Sequence, residues 1–386
     1  MGKFLAYFVS FVAIPLYVTQ GWIFESGSQF SRLFIFVWLA VDIFYFFQYF
    51  LHPQKSSIAK PLALFVFAMF LSWLLSDKTV SSSFGDTAST FGYLKNILVV
   101  ILTYFPFRKW LRSGYFSDNL ILLQFILLSA SSIIAYFTKL GNFDLDAVRM
   151  INNTGYYFSA LLPLLGVKLS KKYNMAFLVV LMYFTISSAK RGAILCFLVG
   201  FFLYFYFISK TNSNKSRYLN VLIMLIMLIG VSALAYNTYI ENAYLQSRIE
   251  NTITENDSSG RDVLYSRLLD VVSNADIFHF LFGYGMIKSI SFIGLQAHQD
   301  WLELFVDNGL IGVILYLSVF ISMLRFYFKN KQYLDGGYRY MFVAMISIWF
   351  LKSCFSFGYT TFFSFIYLVE FAIVEYKVNC NKQAIS

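Results

Sequence analysis

Residues 218–236 read YLNVLIMLIMLIGVSALAY and contain no charged side chain. A helix needs about 20 apolar residues to cross the hydrocarbon core of a bilayer, so this run predicts a membrane-spanning helix. Apolar runs of similar length recur along the whole chain, whereas a membrane β-barrel would alternate apolar and polar residues. The sequence therefore predicts an all-α polytopic integral membrane protein.

The composition excludes several other classes of protein. Of the 386 residues, 59% are hydrophobic and only 13% are charged, whereas soluble domains average roughly 45–50% apolar and ~25% charged residues. A cytosolic enzyme could not bury this much apolar surface, and a disordered chain would be polar. The three cysteines, Cys196, Cys354 and Cys380, form no CxxC pair and no Cys/His spacing typical of zinc, so neither a disulfide framework nor a metal site is predicted.

We predict a single membrane domain over residues 1–386 with about twelve transmembrane helices. The first apolar run lacks a small-residue cleavage site and is interpreted as a retained span. The one long polar stretch, residues 237–299, is interpreted as a large loop between spans nine and ten. The predicted spans are 4–24, 30–51, 61–76, 91–107, 118–138, 154–169, 174–189, 192–209, 218–236, 300–324, 340–352 and 359–375.

The distribution of basic residues predicts the orientation of these spans. With the N-terminus in the cytoplasm, the segments on the inner side hold 18 of the 30 Lys and Arg residues. This excess follows the positive-inside rule, so both termini are predicted to be cytoplasmic and the 237–299 loop to lie outside. The net charge of +10 is then a consequence of topology, and no nucleic-acid partner is predicted.

Two adjacent cations oppose this orientation. Lys190 and Arg191 lie in SSAKRGAIL, residues 187–195, in a tight turn predicted on the outer face, where Gly192 would permit a sharp reversal. Their side chains either extend to the outer headgroups or form an anion site. Arginine suits an anion site because its rigid guanidinium binds phosphate in a bidentate manner.

The outer loop contains further cations and a glycine-rich segment. In NDSSGRDVLYSRLL, residues 256–269, the spacing of Arg261, Leu264 and Leu268 predicts a short helix on the membrane surface. Residues 257–259 would provide its N-cap. The following segment, FLFGYGMIKS at 280–289, contains Gly283 and Gly285 and is interpreted as a tight turn or a re-entrant bend, with glycines typical of a flexible loop favoured.

The loop enters span ten through AHQDWLELFVDNGLIGVILYL, residues 297–317. Asp300, Glu303 and Asp307 are spaced i, i+3 and i+7 and therefore share one helix face. They either form a solvated helix end or line a polar cleft opposite the arginines. His298 precedes them and is a candidate base at this cleft.

Two carboxylates, Asp42 and Glu370, fall within predicted spans. Acids inside a membrane are functional candidates. Lys352, near the outer end of span eleven, is positioned by sequence to pair with Glu370, and such a pair would hold helices together.

These motifs, in this order across residues 185–320, resemble the O-antigen polymerase and O-antigen ligase superfamily of bacterial envelope glycosyltransferases. The resemblance implies an enzyme of the inner membrane that acts on the periplasmic side on glycans carried by undecaprenyl pyrophosphate. It implies a GT-C-like fold, no metal, no cofactor and no nucleotide sugar. The family's functional arginines match Arg191 and Arg261, and its functional histidine matches His298.

The chemistry of such a donor suggests a role for each residue. Arg191 and Arg261, assisted by Lys190 and Arg267, would neutralise the pyrophosphate as the glycosidic bond breaks. His298, or one of the neighbouring acids Asp300 and Glu303, would deprotonate the acceptor hydroxyl, and a single displacement would invert the anomeric centre. Tyr284 and Trp301 are candidates for stacking on sugar rings.

Three functions stay open at this point. HQDWLE, residues 298–303, resembles the polymerase members and favours a polymerase, for which the resemblance also implies a chain-length regulator as partner. The ligase uses the same donor but a lipid A–core acceptor. A flippase for lipid-linked sugars is the third, since twelve spans with inward termini are common in transporters. The absence of matched broken helices weighs against it.

Overall fold

The computed structural model describes residues 2–23, 28–81, 87–141, 152–167, 171–211, 214–241 and 260–385, together with residues 246 and 250. Helices dominate, and one short antiparallel hairpin, β1 (Thr79–Ser81) and β2 (Thr87–Ser89), precedes the fourth helix. The helices are α1 (Gly2–Val18), α2 (Gln29–Leu51), α3 (Ala59–Leu75), α4 (Thr90–Leu102), α5 (Tyr104–Arg112), α6 (Asp118–Gly141), α7 (Gly155–Leu161), α8 (Lys171–Ser187), α9 (Arg191–Thr211), α10 (Asn214–Glu241), α11 (Arg261–Ser273), α12 (Ile277–Phe282), α13 (Lys288–Ile293), α14 (Asp300–Asn330), α15 (Gly336–Phe355) and α16 (Phe365–Ile385).

Six helical segments in the described chain are long and apolar enough to cross a membrane: Gln29–Leu51, Thr90–Arg112, Asp118–Lys139, Arg191–Lys210, Arg217–Ile240 and Asp300–Tyr333. Three shorter apolar helices, Gly2–Val18, Ala59–Leu75 and Tyr173–Ser187, accompany them. All-α architecture and a polytopic membrane protein are thus supported, while the number twelve stays a prediction. One predicted span, 154–169, is only the seven-residue α7 followed by a 3₁₀ turn at Leu162–Gly166.

Helices α9 and α15 pack closely because small residues line their contact. A Cβ atom on Gly200 would lie 2.9 Å from the side chains of Ile348 and Leu162. One turn earlier, the Cys196 thiol lies 3.8 Å from the carbonyl oxygen of Ile348. Small side chains let helix backbones approach one another, which is how helices associate in lipid, where the hydrophobic effect between them is absent.

Polar groups inside the bundle are tied between helices. The Arg108 guanidinium donates to Glu375 across 3.0 Å, and both side chains are buried. Lys352 is also buried, but it donates to the Ser364 hydroxyl at 2.9 Å. The predicted Lys352–Glu370 pair is therefore wrong, because Lys352 bonds the residues just before α16 and does not reach Glu370 farther along that helix.

The described residues 260–299, between α10 and α14, pack onto the end of the bundle. Leu268 of α11 is fully buried against Ile293, Ala297 and Val306 in a small second core. Helix α11 therefore packs on α13 and α14, and its predicted position on the membrane surface stays a prediction. Gly260, with φ +74°, occupies its N-cap position, and the predicted capping residues 257–259 lie outside the described chain.

Candidate functional site

The turn that carries Lys190 and Arg191 is rigid. Ala189 is buried in a left-handed conformation with φ +52°, and the N–H group of Asn152 donates to the Ser188 carbonyl at 2.9 Å. The turn presents Lys190 half-buried and Arg191 exposed as the first residue of α9. Ala189 makes the reversal, so the prediction that Gly192 does so is wrong.

Gly192 instead allows a close approach between helices. A Cβ at this position would overlap the Tyr156 hydroxyl and would lie 2.9 Å from the Phe355 ring. The absent side chain therefore brings the start of α9 against α7 and the end of α15. This contact places Lys190 and Arg191 beside the segment that follows α15.

Arg261 approaches the same place from α11. Its guanidinium interacts with the hydroxyl of Tyr265, one turn along the helix. It also lies within electrostatic reach of Tyr156, the residue that Gly192 contacts. Arg267 is exposed and is rotated about 120° around the helix axis from Arg261, because successive helical residues turn by ~100°. A shared role for Arg267 stays a prediction, and no contact in the described chain favours it.

His298 is held in a strained conformation immediately before α14. Its φ is +59°, which is uncommon for a residue other than glycine. Its N–H group donates to the Glu303 carboxylate at 2.9 Å, and its ring packs against Phe357 at 4.7 Å between centroids. Left-handed backbone persists at such positions only where the surroundings impose it, and it clusters at functional sites.

Lys190, Arg261 and His298 lie together, as the electrostatics of the imidazole show. Burial, followed by the positive charges of Lys190 and Arg261, lowers the pKa of His298 to about 4. Both cations therefore lie within electrostatic reach of this imidazole. The structure therefore brings together three of the predicted site residues, with Arg191 adjacent to Lys190, and the imidazole is neutral near pH 7.

The three carboxylates on α14 share one face as predicted, and all three are buried. The interpretation as a solvated helix end is therefore wrong. Asp300 accepts from the N–H groups of Gly358 at 2.6 Å and Tyr359 at 3.2 Å, and Asp307 accepts from the N–H of Ser289 at 2.7 Å. Asp300 and Asp307 thus hold neighbouring backbone in place, and Glu303 orients the backbone of His298.

Two glycines let the outer segment dock on α14. Gly283 and Gly309 have φ of +78° and +65°, and the position of a Cβ on either would overlap the backbone of the facing segment. The N–H groups of Tyr284 and Gly285 donate to the carbonyls of Val306 and Asp307, both at 2.9 Å. The sequence favoured a flexible turn here, whereas the glycines serve a tight backbone contact that supports the His298 region.

The two aromatic residues proposed for sugar binding have packing roles. The Tyr284 ring stacks on His279 at 4.3 Å and meets Phe292 edge-on at 5.1 Å. Trp301 packs against Tyr316 and Phe350 at 5.0 and 5.6 Å. Each is partly exposed, so sugar stacking stays a prediction without support from these contacts.

The sequence did not predict several of the residues found at the site. Tyr156 and Phe357 lie in apolar or aromatic segments whose residue types are typical of any membrane helix. Lys352 was noted as a structural residue, yet its Nζ lies 5.4 Å from the Tyr156 ring centroid and within electrostatic reach of Asp300. Its one detectable feature was a lysine near the outer end of a predicted span, on the side where positive charge is disfavoured.

Comparison with known protein families gives a match over part of the chain. The sequence model of the O-antigen ligase family matches residues 176–317, about a third of the chain. This segment runs from α8 into α14 and includes Lys190, Arg191, Arg261 and His298. No curated protein matches the chain. The match supports the O-antigen ligase and polymerase superfamily, whose members are glycosyltransferase-like enzymes of O-antigen pathways, and with the apolar helices it indicates a membrane-embedded protein.

Proposed function

We propose that this protein is an O-antigen, or surface-polysaccharide, polymerase of the bacterial inner membrane. It would join repeat units carried by undecaprenyl pyrophosphate on the periplasmic side, with growing chain as donor and a new lipid-linked unit as acceptor. One observation carries the proposed glycosyl transfer: Lys190 and Arg261 lie within electrostatic reach of a neutral histidine, His298, at one end of an apolar helix bundle. The resemblance of HQDWLE, residues 298–303, to polymerase members favours the polymerase.

The cations suit the leaving group. As the bond between the anomeric carbon and the pyrophosphate oxygen breaks, negative charge accumulates on the pyrophosphate. Positioned donors at such a charge are worth about 3 kcal/mol of barrier each. Arg191 and Arg261, with Lys190, supply that charge from two elements, α9 and α11, so the pyrophosphate would be held between them.

His298 suits the acceptor. The acceptor hydroxyl oxygen attacks the anomeric carbon, its proton passes to the neutral imidazole, and undecaprenyl pyrophosphate leaves. A single displacement inverts the anomeric centre. Glu303, which accepts from the N–H of His298, and Phe357, which contacts its ring, would position this base. Asp300 supports the site by holding the 358–359 backbone.

The ligase is the second candidate, and the family description O-antigen ligase favours it directly. Ligase and polymerase use the same donor and the same leaving group, and they differ in the acceptor alone. The cations would contact the pyrophosphate and His298 would contact the attacking hydroxyl, a group that both acceptors present, so the site would serve either acceptor.

Lipopolysaccharide from a strain lacking the gene separates these functions on a gel. We expect core capped with a single repeat unit and no long ladder, because repeat units would still be ligated but not joined. Bare core with accumulating lipid-linked polymer would assign the ligase function. Bare core with repeat units trapped on the inner leaflet would assign a flippase and overturn the proposal. An unchanged lipopolysaccharide ladder would mean that the protein does not act on O-antigen, and the capsule of the same strain would then be examined.

The pH dependence of transfer tests His298 as the base. Because its pKa is held at about 4, kcat/KM should persist from neutrality down to about pH 5 and fall only as the pH approaches that value. Bound pyrophosphate would neutralise the two cations and so raise the pKa of His298 in the complex. The acidic fall of kcat should therefore occur at higher pH than that of kcat/KM. Rates are measured with purified protein and lipid-linked donor.

A charge variant provides the control for this profile. Lys190→Gln removes one of the charges that lower the pKa of His298, so the acidic limb of kcat/KM should move upward toward the ordinary value of 6.5. His298→Gln should abolish the limb together with most of the activity. An acidic limb that is the same in Lys190→Gln and the wild type would show that another group titrates.

A further inference from the structure

A large basic cavity opens at the other end of the bundle. Its volume is about 770 Å³, and its walls come from Tyr49 near the end of α2, residues 53–60, the last turns of α14 and the last turns of α16. Fifteen residues line it, of which five are basic and one is acidic. The basic residues are Lys55, Lys60, Arg325, Lys329 and Lys382.

This basic cavity is separate from the candidate site. Helix α14 contributes residues to both: Asp300, at its first residue, belongs to the candidate site, and Asn330, at its last residue, lines the cavity. From Gly309 to Asn330 the helix rises about 30 Å at ~1.5 Å per residue, which is the thickness of a bilayer hydrocarbon core. The two sites therefore lie at opposite membrane faces, and the cavity takes no part in the glycosyl transfer proposed above.

The positive charge in the basic cavity is not neutralised by its acid. Glu375 accepts from Arg108 at 3.0 Å and from the buried Tyr104 hydroxyl. Lys382 donates to the neutral Asn330 amide at 2.6 Å. Within the described chain, no carboxylate lies in salt-bridge distance of the other four basic lining residues.

Two buried donors provide an independent observation. Ser57 and Asn379 both line the basic cavity, and Ser57 Oγ and Asn379 Nδ2 are buried atoms without a hydrogen-bond partner in the described part of the chain. A buried polar atom without a partner costs about 1–3 kcal/mol, a cost that a ligand oxygen reaching it would offset. Donors beside several cations are the environment that phosphate oxygens require.

The surroundings favour a lipid as the source of the phosphate. Leu51 at the end of α2 and Phe328 near the end of α14 are 76% and 63% exposed, on the same helix ends that supply the cavity walls. We propose that the basic cavity binds the phosphate-bearing headgroup of an anionic phospholipid, whose acyl chains lie against these apolar side chains. Basic pockets between helix ends on the cytoplasmic side recognise such headgroups. The positive-inside rule explains cations at this face but does not explain their convergence on one cavity with unpaired donors.

Thermal stabilisation by defined lipids tests this site without any activity assay. Purified, delipidated full-length protein in neutral detergent is titrated separately with phosphatidylglycerol, phosphatidylcholine and inorganic phosphate. We expect phosphatidylglycerol to raise the melting temperature and phosphatidylcholine to have little effect. Stabilisation by inorganic phosphate at equal concentration would support the phosphate chemistry and assign a soluble source instead.

A matched pair of variants locates the effect. Arg325→Gln combined with Lys329→Gln should raise the phosphatidylglycerol concentration at half-effect by about 10- to 30-fold, given ~1 kcal/mol per basic residue. Lys3→Gln combined with Arg217→Gln removes the same charge from exposed positions at the same predicted face, outside the cavity, and should change it less than about twofold. Equal effects of the two pairs would overturn the proposal.

Lysine acetylation of the wild-type protein gives a second readout that does not depend on the folding of a variant. Bound phosphatidylglycerol should slow the acetylation of Lys55, Lys60 and Lys329 relative to Lys3. Unchanged relative rates would contradict occupancy of the basic cavity. Because neither readout uses glycosyl transfer, failure here leaves the proposed function untouched.

Discussion

Arg261→Gln should reduce the rate of glycan transfer by about 100- to 1,000-fold, the cost of removing one positioned donor from a developing anion. Arg261 lies with Lys190 at His298 and is placed by α11, which packs through Leu268 on a separate small core. The substitution should therefore leave folding and insertion unchanged. Transfer is measured with lipid-linked donor in vesicles, and the amount of inserted protein is measured in parallel.

Arg267→Gln is the comparison within the same helix. It removes the same charge from an exposed position on another face of α11, so we expect a loss smaller than about threefold. A loss of activity as large as that of Arg261→Gln would show that Arg267 also binds the pyrophosphate. Full activity of Arg261→Gln would show that Arg261 does not stabilise the pyrophosphate.

Gly309→Ala should destabilise the protein strongly, although it adds only one methyl group. The added Cβ would overlap the backbone of Leu281, and φ is +65°, so two penalties combine. With ψ at −169°, Gly309 lies in a region that essentially only glycine occupies, so the backbone strain alone costs roughly 1–3 kcal/mol. The facing backbone also cannot move aside as a flexible side chain can. We expect a total above about 3 kcal/mol, with loss of the contact that supports His298. Thermal unfolding in detergent and the yield of inserted protein measure it.

Gly114→Ala separates the two penalties. Gly114 also has a positive φ, +69°, but nothing lies within 4 Å of an added Cβ. It should lose only the strain contribution. Equal melting temperatures for the two variants would mean that the contact between residues 281–283 and 307–309 is looser than the structure shows.

The helices were predictable because the length and hydropathy of each apolar run indicate a helix that can cross a bilayer. The run at 218–236 is apolar over its whole length, and α10 occupies it. The irregular segment after α7 was less predictable, because Pro163 ends regular helix within a sequence that is otherwise uniformly apolar. Overall hydropathy does not distinguish a continuous helix from a broken one.

The candidate site was only partly predictable. The cations at 190, 191 and 261 were found because they oppose the charge bias of the chain, and His298 was found beside the acids. The roles of Gly192, Gly283 and Gly309 were not found, since a glycine that permits close approach and a glycine in a flexible loop look the same in a sequence. The Lys352–Glu370 pairing failed for a related reason: it depends on how far α15 and α16 are shifted along each other.

The sequence by itself determines that this is an all-α, membrane-embedded chain, because hydropathy and helix length are local properties. It also identifies which charged residues are exceptional. Only the tertiary structure decides that Lys190 and Arg261, 71 positions apart, act on one imidazole, that Asp300 holds backbone, and that five cations line one cavity. These are distances between segments remote in sequence, and they depend on packing that no local pattern encodes.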